Sequence, residues 1–128
     1  MNRIAFSLLF GGLVLAGCVD GPSAKKTYEI RCANCHGKDG EGLKKLIPPL
    51  ADSDYLQNNM DKLACIIRNG MKEPIMVNGD LYIQEMPPNH DLSDMDIVNL
   101  VNYINKRWGS PATSQTPAQT RKQLKNCE

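Results

Sequence analysis

The stretch that decides the fold stands at positions 32–36 and is Cys32-Ala33-Asn34-Cys35-His36. C-x-x-C-H is the attachment signature of c-type haem. Each thiol adds to one vinyl group of the haem, and the adjacent histidine faces the iron as its proximal ligand. The spacing suits a single helical turn, because the two vinyl groups lie on neighbouring pyrroles. The motif therefore predicts one covalent haem c, attached through Cys32 and Cys35, with His36 on the iron.

A C-x-x-C pair also occurs in two other kinds of site. A structural zinc site needs a second pair of cysteine or histidine ligands at ligand spacing, and the sequence has no such pair. A thioredoxin-like redox pair belongs to a βαβ pattern, which the surrounding residues do not show. Haem attachment remains the favoured interpretation.

The composition limits the classes of protein that this chain can represent. It has 128 residues, with 15 Lys+Arg against 14 Asp+Glu and 41% hydrophobic residues. This length allows one domain. The near-neutral charge argues against nucleic-acid binding, which normally needs a strongly basic face. The apolar residues are too many for a disordered chain and are not concentrated into a membrane span.

The N-terminus resembles the signal peptide of a bacterial lipoprotein. Arg3 precedes an apolar run at 4–15, which ends in the tetrapeptide LAGC at 15–18. The run is shorter than the roughly 20 residues of a spanning helix. The resemblance implies a signal peptide at 1–17 and a diacylglyceryl group on Cys18. It further implies export and stable lipid anchoring to a bacterial membrane, facing the periplasm or the cell exterior.

The remaining chain divides by composition. Residues 18–23 are turn-rich and are predicted to form a tether. A globular domain is predicted at 24–108. Residues 109–119 contain only Gly, Ser, Pro, Ala, Thr and Gln, and a short basic tail follows. We expect 109–128 to be a flexible connector and tail.

With the signature, the glycine after it and a downstream methionine, the chain resembles the small class I cytochromes c. The likeness covers 25–108, about two thirds of the chain, and is carried by positions 32–37, 48–50 and 82–87. It implies an all-α cytochrome c fold of about three to five helices around one covalent haem. It also implies single-electron transfer between respiratory redox partners, a donor and an acceptor.

The resemblance assigns the distal iron ligand to Met86. This methionine lies in QEMPP at 84–88, where two prolines stiffen the chain, and it comes 50 residues after His36. Most methionines are packed in protein cores, so the assignment has competitors. His90 is an alternative that would give bis-histidine ligation. The rival sulfurs belong to Met60, Met71 and Met76.

The second ring nitrogen of the proximal histidine needs a partner that fixes the ring. In the family a proline carbonyl accepts this hydrogen bond, and a leucine two residues further on packs against the haem. Pro48 and Leu50 match that pattern, and Pro49 is the alternative carbonyl.

Three helices are predicted from periodicity and capping signals. The most regular is 94–108, with Ser93 as its N-cap. A second runs over 60–69 and ends at Gly70, and a third covers 25–35. The apolar stripe of the first consists of Ile97, Leu100, Val101, Ile104 and Trp108.

A small β-hairpin is predicted at 75–83, because Asn78-Gly79 lies between two apolar runs. We expect it to cover one haem edge and to present Met86. Tyr82 has two interpretations, a hydrogen bond to a haem propionate or plain packing.

Two of the five cysteines, Cys65 and Cys127, have neither lipid nor haem assigned to them. Export to an oxidising compartment favours disulfides. We therefore predict a Cys65–Cys127 disulfide, with two free thiols as the alternative.

Two functional classes follow. If both axial positions are filled by the protein, the chain is an electron carrier and not an enzyme, either free or as a subunit of an oxidase or reductase. If Met86 is displaceable, the alternative is a small haem enzyme or gas sensor, such as a peroxidase.

Overall fold

The structure is a computed structural model that describes residues 22–127. The signal peptide expected at 1–17 and Cys18 lie outside the described residues. The helices are α1 (Pro22–Arg31), α2 (Ala33–His36), α3 (Asp54–Asn58), α4 (Leu63–Asn69), α5 (Asp94–Trp108) and α6 (Pro117–Lys125), with a 3₁₀ turn at Pro111–Thr113; the strands are β1 (Ile75–Val77) and β2 (Asp80–Tyr82). This mostly helical fold with one hairpin agrees with the expected cytochrome c fold, although the described residues form six α-helices instead of three to five.

Helix α5 is the centre of the core. The Ser93 hydroxyl accepts from the Asp96 amide at 3.1 Å, and the Ser93 amide donates to the Asp96 carboxylate at 3.0 Å. This capping box satisfies amides that the first turn leaves unpaired. The hydrogen bonds from the Ser93 hydroxyl and amide lower the pKa of the Asp96 carboxyl. The predicted stripe of α5 is buried from Ile97 to Ile104.

Helix α1 packs against α5 through an aromatic cluster. Tyr28 is fully buried, and its ring centroid lies 5.4 Å from that of Tyr103 and 5.2 Å from that of Trp108. The Tyr28 hydroxyl donates to the Gly37 carbonyl at 2.7 Å. The cluster therefore fixes the turn that directly follows His36 to the core.

The hairpin forms as predicted. Strands β1 and β2 are antiparallel, with Met76 opposite Leu81. The turn residues Asn78 and Gly79 have φ of 52° and 84°, as a type I′ turn requires. Asp54 joins the hairpin to α3, because its carboxylate accepts from the Asn78 amide at 2.8 Å.

The C-terminal segment differs from the expected flexible connector and tail. Thr116 caps α6 with a capping box closed by Gln119, and Pro117 occupies the first turn, where its missing N–H costs nothing. Thr120 is fully buried, and Leu124 packs against the core. The composition of 109–119 is typical of a linker, but capping signals and packing against α4 and α5 override it.

The disulfide lies in this segment. Cys65 on α4 and Cys127 after α6 are joined by an S–S bond of 2.04 Å, which is the pair predicted from the cysteine count. The bond attaches the end of the described chain to the middle helix. None of the helices in residues 22–127 has the length and apolar character needed to cross a membrane.

Candidate haem site

The predicted haem residues line one cavity. Its walls come from α2, α3, α4, one residue of α5, the inner face of the hairpin, the segment at 71–73 and the loops at 47–50 and 84–89. Two carboxylates, Glu73 and Glu85, border it, and no lysine or arginine of the described residues does. The apolar wall residues are Ile47, Pro48, Pro49, Leu50, Leu56, Leu63, Ile66, Ile67, Ile75, Val77, Pro87 and Ile104.

The two thiols lie on one helical turn, as the motif requires. The amides of Cys35 and His36 donate to the Cys32 carbonyl at 3.1 Å and 2.9 Å. Neither cysteine takes part in a disulfide. Desolvation by burial, with a smaller contribution from Cys35, raises the pKa of Cys32 to about 11. This thiol is therefore protonated at neutral pH, unlike the low-pKa thiolates of redox C-x-x-C pairs.

His36 is held in the form that can ligate iron. Its Nδ1 donates to the Pro48 carbonyl at 3.1 Å, which assigns the hydrogen bond to Pro48 and not to Pro49. With the proton on Nδ1, Nε2 keeps its lone pair. Burial lowers the pKa of His36, while the Pro48 hydrogen bond acts in the opposite direction. The imidazole is therefore neutral at pH 7.

The loop between His36 and Pro48 depends on a close backbone approach at Gly42. Gly42 has φ of 69°, and a Cβ atom there would lie 2.5 Å from the Ile47 carbonyl oxygen. Its amide donates to the His36 carbonyl at 2.8 Å. Only glycine permits this approach without strain. The Pro48 carbonyl thus reaches the histidine ring, and Leu50 lines the cavity while packing against the core.

Two methionines of the described residues line the cavity, Met86 and Met71. Both are half-buried. Met60 is buried in the core outside the cavity, and Met76 is 54% exposed. His90 is exposed and does not line the cavity. The structure thus brings together Met86 and one of its sequence rivals.

The ring of Tyr82 is buried and lines the cavity. Its hydroxyl donates to the Lys44 carbonyl at 3.3 Å, so in this structure its partner is the backbone. Sequence reasoning missed Tyr55 and Asn59, which also line the cavity. They belong to α3 and its C-cap, whose sequence signal is the Ser53 cap ahead of a short helix.

The donor set and the walls fit a haem. The cavity combines two thiols, one neutral imidazole and two thioethers with mainly apolar walls. Within residues 22–127 no three His, Cys, Asp or Glu side chains cluster as they would around a bare metal ion. A thiol pair on one helical turn beside a neutral histidine, opening into an apolar cavity, defines a c-type cytochrome.

Comparison with known proteins identifies a family within this class. Residues 20–104 match the family described as cytochrome c oxidase, cbb3-type, subunit III. The chain belongs to this family of c-type cytochromes.

Two relatives illustrate its range. Cytochrome c-552 of Thermus thermophilus is 34% identical over 106 residues, which cover 80% of this chain and 68% of the relative. The cytochrome c subunit of the quinone alcohol dehydrogenase of Gluconobacter oxydans is 32% identical over 101 residues, 77% of this chain. The chain spans about a fifth of that larger subunit. The chain is thus similar both to a protein that is named as a cytochrome in its own right and to part of the cytochrome c subunit of an enzyme.

Proposed function

We propose that the protein is a membrane-anchored monohaem cytochrome c that carries single electrons, with its iron held between His36 and Met86. The observation that carries this proposal is the cavity, which a neutral imidazole, a thioether and the two thiols of the signature all line. Haem c bound there supplies an iron that alternates between two oxidation states by gaining and losing one electron. Methionine/histidine ligation raises the reduction potential of such an iron.

The protein residues have distinct tasks in this function. Cys32 and Cys35 form the two thioether bonds, which fix the position of the haem. Pro48 orients the imidazole of His36 through the 3.1 Å hydrogen bond. The apolar walls exclude water. Rigid ligands and a dry site keep the structural change between the two oxidation states small, because few polar groups must reorient.

The distal segment is held by the end of α4. The Asn89 amide donates to the Arg68 carbonyl and its side-chain Nδ2 to the Ile67 carbonyl, both at 3.1 Å. These bonds satisfy carbonyls that the last turn of α4 leaves unpaired. The loop that carries Met86 is therefore attached to α4 directly after its prolines, and ahead of them the Met86 amide donates to the Met71 carbonyl at 2.9 Å. This attachment supports a filled distal position.

Anchoring is proposed through the diacylglyceryl group on Cys18, with the domain exported and facing the periplasm or the cell exterior. The sequence pattern at 1–18 supports this localisation, and the short tether would keep the domain near the membrane surface. Respiratory redox proteins are the proposed partners. The family description and the name of the Gluconobacter relative support a role as a subunit of an oxidase or reductase, and the similarity to cytochrome c-552 of Thermus thermophilus supports a free carrier.

A spectroelectrochemical titration of the purified holo-protein tests the electron-carrier function. We expect a single reversible transition that follows a one-electron Nernst curve, with no change in protein mass between the two forms. Rapid turnover of hydrogen peroxide with a reducing dye would instead favour the peroxidase-like alternative. The double variant Met71→Leu, Met86→Leu, which removes both thioethers that line the cavity, serves as the matched open-site variant in both assays.

A further inference from the structure

Met71 and Met86 form a reciprocal backbone pair. The Met71 amide donates to the Met86 carbonyl at 2.9 Å, and the Met86 amide donates to the Met71 carbonyl at 2.9 Å. The two residues are thus directly opposed in an antiparallel bridge. Side chains of directly opposed residues lie on the same face of the pair, with Cβ atoms about 5 Å apart. Both methionines accordingly line the same cavity.

The end of α4 holds the backbones of Met71 and Met86 together. Gly70, the C-cap of α4, has φ of 70°, and a Cβ atom there would lie 2.2 Å from the Met86 carbonyl oxygen. Only glycine lets the two backbones approach so closely. Together with the Asn89 hydrogen bonds, this contact fixes the backbone of Met71 relative to that of Met86.

We propose that Met71 is a reserve distal ligand, whose thioether takes the axial position on the iron when Met86 leaves it. This inference rests on the proposed histidine/methionine ligation. The exchange breaks the bond between iron and the Met86 sulfur and forms one with the Met71 sulfur. Both thioethers are neutral two-electron donors, so the exchange needs no proton, oxidant or reductant. The flexible, unbranched side chain of methionine can reach a shared point from either backbone position.

The environment favours sulfur as the replacement. The residues that line the cavity offer no second imidazole and no lysine amine, and the hydroxyl of Tyr82 is engaged with the Lys44 carbonyl. His90 is exposed and does not line the cavity. If the bond between iron and Met86 were lost, the thioether of Met71 would therefore replace it. The iron would then remain closed to external ligands.

The test is the weak long-wavelength absorption band of a ferric iron–sulfur bond. It is recorded for the wild-type holo-protein, Met86→Leu, Met71→Leu and the double variant. Leucine has nearly the volume of methionine and cannot ligate. Met76→Leu is the matched control, because Met76 lies on the exposed outer side of the hairpin. Haem content by mass spectrometry and the far-ultraviolet spectrum establish that each variant is loaded and folded.

We expect the band in the wild type, Met71→Leu and Met76→Leu, a retained but shifted band in Met86→Leu, and its loss only in the double variant. If Met86→Leu alone loses the band, Met71 is not a reserve ligand and the His36–Met86 assignment stands. If Met71→Leu loses the band, Met71 is the resident ligand and the proposed order is reversed. A wild type without the band overturns both proposals. If the double variant does not load haem, the methyl resonances of ligated methionine in the two single variants give the same decision.

Discussion

The two sides of α4 are stabilised in different ways. On one side, α4 packs against α5 and α6, where Thr120 is fully buried and the Cys65–Cys127 disulfide joins the segments. On the other side, Ile66, Ile67 and Leu63 of α4 line the haem cavity. On the first side, other helices of the chain bury the residues of α4. On the second side, the residues of α4 line a cavity that a cofactor has to fill. A domain this small gains much of its core from the haem, since its own apolar burial is modest.

The largest effect is expected from the attachment cysteines. The double variant Cys32→Ala, Cys35→Ala should lose covalent haem completely, because no other free thiol of the described residues is available. Denaturing mass spectrometry of the purified chain measures this as the loss of one haem mass. The matched control is Cys65→Ala, Cys127→Ala, which removes two cysteines from the other side of α4 and should keep the haem. Covalent haem in the first variant would refute the proposed attachment.

The disulfide variant should show the next largest effect. Removing a link between residues 62 positions apart costs about 4 kcal/mol on the loop-entropy model, with smaller values common. Denaturant unfolding of the holo-protein should therefore show a lower free energy of unfolding, with the haem spectrum unchanged. A changed iron–sulfur band would mean that the two sides of α4 are not independent.

Gly70→Ala tests the contact between α4 and the distal loop. The left-handed φ of 70° and the 2.2 Å approach to the Met86 carbonyl oxygen predict a loss of about 2 kcal/mol or more in unfolding free energy. The iron–sulfur band should weaken as well, since the loop must move. Gly79→Ala is the control, with φ of 84° but no atom within 4 Å. It should cost about 1 kcal/mol and leave the band intact. Equal effects of the two variants on the band would contradict this role of Gly70.

The smallest effect is expected at the start of α5. Ser93→Ala should lower the unfolding free energy by about 1 kcal/mol at pH 7, because it removes the N-cap hydroxyl. The Ser93 hydrogen bonds lower the pKa of Asp96 in the folded state. A depressed carboxyl pKa stabilises the fold above its unfolded value near 4, and this contribution is lost as the pH falls through the folded pKa. The difference between wild type and Ser93→Ala should therefore shrink below about pH 4. A pH-independent difference would show that the hydroxyl acts only on the backbone.

Elements defined by local signals could be predicted from the sequence. Helix α5 has a cap, an apolar stripe and a stop signal, and the hairpin has Asn78-Gly79 between two apolar runs. Both formed as predicted. The Pro48 hydrogen bond and the disulfide pair also match what the sequence analysis expected. In each case a short pattern carries the information.

Features that depend on distant contacts could not be predicted. Helix α6 follows a stretch with linker composition, and its capping signals acquire meaning only once Thr120 and Leu124 pack against the core. The approach of Met71 to Met86 joins residues 15 positions apart through one backbone bridge. No periodic pattern in the sequence predicts such a bridge. Nothing in the sequence therefore indicated that Met71 lies beside Met86, since it is only a methionine after a glycine.

Exposure of the ferrous holo-protein to carbon monoxide tests the central claim most directly, namely that side chains of this chain fill both axial positions of the iron. The account predicts that the reduced spectrum of the wild type stays unchanged under carbon monoxide, whereas the double variant Met71→Leu, Met86→Leu forms a complex. Rapid carbon monoxide binding to the wild type would contradict the account, because it would show an open sixth position and favour the haem enzyme or gas sensor.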